Sequence, residues 1–206
     1  MKVVIIGPTG LIGKGVTALL TEAGHEIVQA SRNTRPSLNL DDPTSIEAFY
    51  ETVGEMDAVI CAGPRGGGGF GPLTGFSDEV IDSYTRSKLL GQVNLVRKGL
   101  SHLRPGGVFI LTGGMSGFAT VPNSSVSAML NIALDKFVSR VAAELQDGRR
   151  IVIIHPPAVR EFVVQMGMDG ARWPAAAAVA EKYLMGLESQ ITGQSIFVEG
   201  HEPAVK

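Results

Sequence analysis

Cysteine is nearly missing. Cys61 is the only one among 206 residues, which excludes an intramolecular disulfide framework and any multi-cysteine zinc site. A basic surplus is missing too: 18 Lys and Arg against 20 Asp and Glu leave a formal net charge of −2. That balance argues against a nucleic-acid or anionic-membrane binder. No apolar stretch reaches the length of a membrane span. The short apolar run after Met1 and Lys2 ends at Gly7, without the h-region and cleavage site of a signal peptide. His25, His102 and His201 show no metal-ligand spacing, so no metal site is expected. Charge as a whole is thin, 18% of residues against about 25% in a typical soluble domain. These absences leave a cytoplasmic globular domain, residues 1–206, with part of its surface covered by a partner subunit. A chain of this length buries a full core without staples.

Glycine, by contrast, is in excess, at 26 residues. It clusters at Gly7–Gly15, Gly63–Gly75, Gly106–Gly117 and Gly167–Gly170, and the first three clusters begin at or near apolar runs that read as strands. Strands are predicted at Val3–Ile6, Glu26–Ala30, Asp57–Cys61, Val108–Thr112, Ile151–His155 and Ser195–Val198, with Leu38–Leu40 a further short one. The spacing predicts helices over Leu11–Ala23, Asp78–Leu103, Ser124–Leu145 and Pro174–Leu187. Another runs from Pro43 to about Val53, with Asp42 as its N-cap. Strands alternate with helices throughout, and no linker divides the chain. The expected fold class is α/β, one doubly wound parallel sheet with right-handed crossovers.

Gly7-Pro8-Thr9-Gly10-Leu11-Ile12-Gly13 leaves the first strand and enters the first helix. In a G-x-x-G-x-x-G turn the first glycine permits the tight bend and the second lets a pyrophosphate approach the backbone. The third packs the helix on the sheet, with the phosphate on the helix dipole. Gly7, Thr9, Gly10, Leu11, Ile12 and Gly13 are therefore expected to hold a dinucleotide. The end of the second strand sets which one. A carboxylate there would hold the ribose of NAD; this chain has Ala30-Ser31-Arg32-Asn33. Ser31 offers a hydroxyl and Arg32 a guanidinium fork to a 2′-phosphate, so NADP(H) is the expected cofactor. The competing interpretation makes Arg32 and Arg35 solvated turn residues. The Ala62-Gly63 backbone lets the adenine-side ribose approach. Gly66–Gly69 reads as a flap over the cofactor with Arg65 as a phosphate contact, or else as a surface loop.

With the glycine turn and the Ser31-Arg32 pair in place, the chain resembles a short-chain dehydrogenase/reductase of Rossmann fold. The resemblance extends over nearly all of the sequence. Ile60-Cys61-Ala62-Gly63 resembles the family's Asn-Asn-Ala-Gly segment. Leu111-Thr112-Gly113-Gly114 falls on the strand that ends in its serine, Ile154-His155-Pro156-Pro157 on its Pro-Gly segment, and Thr192-Gly193-Gln194 on the turn before its last strand. The resemblance implies NAD(P)(H) binding, hydride transfer on a small carbonyl/alcohol substrate, and a homodimer or homotetramer built on the two long helices. Such an assembly accounts for the thin charge.

The sequence departs from the family where the chemistry should be. The family's tyrosine, which protonates the carbonyl oxygen, and the lysine four residues later fall on Ser127 and Asn131. The upstream serine falls on Gly113 or Gly114, and Lys88 stands where the family usually has an asparagine. Lys88 is thus a candidate for a lysine moved across the cleft. Tyr84 lies four residues before it on the same helical face, a candidate relocated proton donor with a packed or surface tyrosine as the alternative. His155, ending a strand at the carboxyl edge of the sheet, is a candidate acid or else a loop-bonding histidine. Ser116, Ser124 and Ser125 lie near the same edge. Arg160 to Trp173 is a short substrate lid. Two functions stay open. One is an NADP(H)-dependent oxidoreductase with a rearranged proton-donor site. The other is a non-redox isomerase, cyclase or nucleotide-sensing protein that keeps the dinucleotide site.

Overall fold

The computed structural model describes residues 1–63 and 69–203. Six strands form one sheet: β1 Lys2–Ile6, β2 Glu26–Ala30, β3 Met56–Cys61, β4 Leu103–Thr112, β5 Arg150–His155 and β6 Ser195–Phe197. Their order is β2-β1-β3-β4-β5-β6, and every neighbouring pair is parallel. Parallel neighbours need crossovers. The helices that make them are α1 Leu11–Glu22, α2 Pro43–Val53, α3 Asp78–Tyr84, α4 Gly91–Gly99, α5 Ser125–Val141, α6 Arg160–Gln165 and α7 Ala176–Glu188. The doubly wound α/β architecture expected from the strand–helix alternation is the one observed.

Successive strand side chains point to opposite faces. Val3 and Ile5 pack with Val16 and Leu20 of α1 and with Val179, Ala180 and Tyr183 of α7. Val4 and Ile6 pack on the other side with Phe49 and Tyr50 of α2, Leu95 of α4 and Leu134 of α5. Because helices cover both faces, β1 and β5 are nearly unbroken runs of Val and Ile rather than alternating ones. Asp42 caps α2 as expected, its carboxylate accepting from Thr44 N at 2.9 Å, with Pro43 in the first turn.

Three elements differ from expectation, each for a local reason. Leu38–Leu40 is not a strand, so β2 is the sheet edge. Side chains satisfy the backbone there instead: Thr34 Oγ1 accepts from Ser31 N and donates to the Ser31 carbonyl, and Ser45 Oγ accepts from Asn39 N. Leu38 turns into the core, 2% exposed. The helix expected over Asp78–Leu103 is wound in three parts, with a wider π-wound turn at Thr85–Leu90 between α3 and α4, and it stops at Gly99. Such turns are often found where a helix serves a site. Pro105-Gly106-Gly107, just beyond the end expected for that helix, lies inside β4, where the register against β3 shifts. Within Arg160 to Trp173, expected to be a short lid, Arg160–Gln165 forms α6.

The chain leaves β1 for β2 on one side and then crosses to β3 on the other. The crevice beyond the carboxyl ends of β1 and β3 is therefore the switch point at which such sheets bind ligands. No helix of the described residues is long and apolar enough to cross a membrane.

Candidate active site

The glycine turn sits at that switch point. Gly7 has φ +78°, and its N–H donates to the Ala30 carbonyl at 3.1 Å, tying the turn to the end of β2. A Cβ on Gly13 would stand 2.0 Å from the Gly7 carbonyl oxygen, so α1 approaches β1 as only glycine permits. No side chain caps α1 and no acid stands in its first turn, leaving its N-terminal N–H groups open to an anion. Thr9, Gly10 and Leu11 are exposed and Ile12 is half-buried. Ser31 begins a tight turn: its Oγ accepts from Asn33 N at 3.1 Å, and its carbonyl accepts from Leu38 N at 2.8 Å. The turn leaves Arg32 exposed beside the glycine loop. Ala62 N donates to the Ile6 carbonyl at 3.0 Å, which places Ala62 and Gly63 across the same loop. The residues fit a dinucleotide with an extra phosphate: an uncapped helix start, a glycine cradle, and an exposed guanidinium without a neighbouring carboxylate in Ala30-Ser31-Arg32-Asn33. Arg65 and the glycines before Gly69 lie outside the described residues.

Lys88 is 6% exposed, on the inner side of the π-wound turn. Its ammonium donates to the carbonyls of Thr112 at 2.8 Å and Gly113 at 2.7 Å. Burial pulls its pKa down to about 8. Gln92, one turn on, accepts from Thr112 N at 2.9 Å and donates to the Thr112 carbonyl at 3.0 Å. His155 is fully buried, its ring between Phe118 at 4.6 Å and Phe197 at 5.4 Å. Its Nδ1 accepts from Gly114 N at 3.1 Å, while Nε2 faces Asp135 Oδ1 at 3.5 Å, an ion-pair distance. Burial lowers the imidazole pKa despite Asp135, so the ring is neutral near pH 7. Hydrogen bonding toward His155 and Ser195 holds the Asp135 carboxyl far below the usual range, against its partial burial. Gly113 N donates to the Ile154 carbonyl at 2.8 Å and Met115 N to the Pro156 carbonyl at 3.1 Å. The corner Thr112–Met115 is thus pinned from α4, β5 and the π-wound turn together.

That placement revises two expectations. The His155 imidazole is enclosed by aromatic rings and does not reach a cleft. The Lys88 ammonium gives two of its three N–H donors to backbone carbonyls. Both support the corner from behind. Tyr84 differs: it is 7% exposed and packs on Val126 and Leu130 of α5. Burial raises its pKa and the Ser127 hydroxyl draws it back. Ser127 Oγ lies 3.0 Å from Ser116 Oγ, and Asn131 Nδ2 donates to Ser116 Oγ at 2.9 Å. Ser116 opens onto a cleft of about 420 Å³ lined also by Gly71, Leu73, Val121, Ser124 and Ser125. Gln92, Asp135 and Ser195 were not foreseen. Only the position of Gln92, one helical turn after Lys88, pointed to a shared role.

The NAD dependent epimerase/dehydratase family model matches residues 3–99, which include the glycine turn and Arg32. No curated protein matches the sequence closely. The protein lin1944 from Listeria innocua superposes with a TM-score of 0.90 at 31% identity, over 96% of this chain and 99% of that one. A small-chain dehydrogenase superposes at 0.82 and 26% identity, over 97% of each chain. The chain belongs to the short-chain dehydrogenase/reductase family. A small-chain dehydrogenase solved in complex with NADPH has the same fold, with a TM-score of 0.84 at 24% identity over 98% of this chain and 97% of that one. Within the family's frame, the helix that normally carries the tyrosine and lysine presents Ser127 and Asn131, and a tyrosine from α3 packs onto it.

Proposed function

We propose that the protein is an NADP(H)-dependent oxidoreductase that interconverts a small carbonyl compound and its alcohol. The observation that carries this is the uncapped, acid-free start of α1, entered from a glycine turn whose Gly7 N–H donates to the Ala30 carbonyl at the strand end next to Arg32. Gly7, Thr9, Gly10, Leu11, Ile12 and Gly13 would surround the diphosphate, Ser31 and Arg32 the 2′-phosphate, and Ala62 and Gly63 the adenine-side ribose. Bound NADPH supplies a hydride to the carbonyl carbon. The chain's own part is to hold the substrate in the cleft beside Ser116 and to provide a proton. Lys88 and His155 fix the corner next to Ser116, and Tyr84 packs on the same helix as Ser127 as the candidate proton donor. The NADPH held by a structural neighbour of the same fold supports the cofactor choice.

The second reading, a non-redox enzyme or sensor, draws on Ser127 and Asn131 replacing the tyrosine and lysine. An NADPH fluorescence titration, followed by a panel of aldehydes, ketones and quinones, separates the two. Binding with turnover is expected; binding with no turnover on any of them favours the second, and no binding overturns both. We place the enzyme in the cytoplasm as a homo-oligomer joined through α3, α4 and α5. Leu90 on the π-wound turn and Met129 on α5 are 48% and 54% exposed, and a monomer in sedimentation would refute the assembly.

A further inference from the structure

Gly113–Met115 carries the chain from the end of β4 into the short turn Met115–Gly117, whose Ser116 lines the cleft. Backbone carbonyls take two of the three N–H groups in this segment. Ile154 accepts from Gly113 at 2.8 Å and Pro156 from Met115 at 3.1 Å. The N–H between them, that of Gly114, donates to a side chain instead, His155 Nδ1 at 3.1 Å. One rung of three is therefore held by a group that can take up a proton. The ring also presses on the segment from the side. A Cβ on Gly113 would stand 2.2 Å from Nδ1, so the imidazole fills the space that a side chain there would need. Beyond the turn, Phe118 meets the same ring edge-on at 4.6 Å. A single imidazole thus touches the chain on both sides of Ser116.

A backbone N–H only donates, so Nδ1 meets Gly114 with its lone pair and carries no proton. The neutral ring then has its proton on Nε2, which faces Asp135 Oδ1 at 3.5 Å. Asp135 is itself fixed: Ser195 Oγ donates to Oδ1, and Lys136 Nζ lies 3.2 Å from Oδ2. The charged groups that bear on the imidazole are Asp135 from α5 and Lys88 from the π-wound turn. Its ring neighbours, Phe118 and Phe197, carry no charge. Burial lowers the imidazole pKa, Asp135 draws it up and Lys88 lowers it again, leaving it below 6.5. A second proton can go only to Nδ1, and a protonated Nδ1 would face Gly114 donor to donor.

We propose that Asp135 and His155 are a positioning pair: the unprotonated Nδ1 holds Gly114 and with it the turn that carries Ser116, and a proton on Nδ1 releases the turn and stops turnover. This rests on the oxidoreductase reading and adds to it an acid limit set at one named atom. Both side chains act through the Gly114 backbone, from behind the cleft.

The test uses the full chain, NADPH and para-nitrobenzaldehyde, at a temperature where the fold is intact across the pH range. The kcat should fall on the acid side with a midpoint below 6.5, matching the titration of His155 read from isotope-labelled imidazole nitrogens. Near neutral pH those nitrogens should show Nδ1 unprotonated and Nε2 protonated. His155→Leu, which offers Gly114 no acceptor, should lower kcat by about tenfold or more near neutral pH. His155→Asn places a carboxamide oxygen where Nδ1 stands and does not titrate. It should recover most of that loss and lack the acid fall. Among the described residues no hydrogen bond joins Gly113–Met115 to the Gly7–Gly13 turn, so NADPH affinity should stay within about threefold in both variants. Asp135→Asn removes the charge that raises the imidazole pKa. The kcat midpoint and the His155 titration should then move down together by about half a pH unit or more.

If wild type is active and His155→Leu keeps kcat within about threefold, or His155→Asn retains the acid fall, the pair does not position the site and the oxidoreductase reading stands. A ring protonated on Nδ1 near neutral pH overturns the pair as well. So does a loss confined to NADPH affinity, or a kcat midpoint that stays put while Asp135→Asn moves the His155 titration. Should His155→Leu fail to fold, the pH profiles of wild type and His155→Asn decide. If wild type binds NADPH but reduces no carbonyl compound, the oxidoreductase reading falls and takes the pair's role with it.

Discussion

The ammonium of Lys88 lies 2.8 Å from the carbonyl oxygen of Thr112, so a cation inside the protein closes the end of a central strand. Burial lowers its pKa from 10.5 to about 8. Between those values the unfolded chain holds a proton that the folded chain has released, so raising the pH favours the folded state. A gap of about two and a half pH units, at 1.36 kcal/mol each, amounts to at most about 3.4 kcal/mol. Urea unfolding of wild type and Lys88→Met at matched pH should show wild type gaining on the variant from pH 8 to 10.5. Parallel stability curves would show that the buried amine does not titrate in this window.

His155 sets an acid limit of a different kind. Its folded pKa lies below the ordinary 6.5, so the unfolded chain binds the proton first as the pH falls. Stability is full above 6.5 and is lost progressively below it, because a protonated Nδ1 no longer accepts from Gly114 N. Asp135, with its pKa lowered in the folded state, adds a second loss that begins only below 3.8. The Tm of wild type should therefore fall as the pH is lowered from 6.5 toward the Asp135 range. His155→Gln should flatten that slope. An equal slope in both proteins would assign the acid sensitivity to other groups.

Period and punctuation carried the fold. Short β-branched apolar runs, the Gly7–Gly13 spacing and the Asp42-Pro43 cap are local signals, and each names its element without help from the rest of the chain. Leu38–Leu40 misled because an apolar pair at a sheet edge is equally able to turn inward as a loop, and Ser31, Thr34 and Ser45 satisfy the backbone that a strand would have paired. The π-wound turn left no mark in the apolar spacing. For the site, the nucleotide half is legible because its chemistry is backbone chemistry at one corner. The catalytic half is not. Lys88 and Gly113 are 25 positions apart and His155 and Asp135 are 20 apart, so no spacing rule joins them. Burial then decides their role, and burial is a property of the assembled layers.

Gly13 tests the corner that the cofactor needs. A Cβ there would meet the Gly7 carbonyl oxygen at 2.0 Å and Gly7 C at 2.9 Å, both backbone atoms that cannot swing aside. Gly13→Ala must push α1 away from β1. Overpacking of this kind costs about 1–3 kcal/mol, which lowers Tm by roughly 4 °C or more in a chain of this size. NADPH affinity should fall by about tenfold or more, since the helix start moves off the phosphate position. Calorimetry on the folded variant measures both. Unchanged Tm and affinity would mean that the helix and strand are not locked at this contact.

Arg32 separates the two nicotinamide coenzymes. The guanidinium is exposed at the end of β2, held near the glycine turn by the Gly7 to Ala30 hydrogen bond of 3.1 Å. A charge-assisted bond to a phosphate contributes about 1.5–3 kcal/mol, a tenfold or greater change in Kd. Arg32→Ala should therefore weaken NADPH by about tenfold or more and change NADH by no more than about twofold. Added salt should narrow the gap between wild type and variant for NADPH, because an exposed ion pair is screened. Fluorescence titration of both coenzymes at two ionic strengths reads all of this at once. Equal losses for NADPH and NADH would move Arg32 off the 2′-phosphate and leave coenzyme choice to residues elsewhere around the loop.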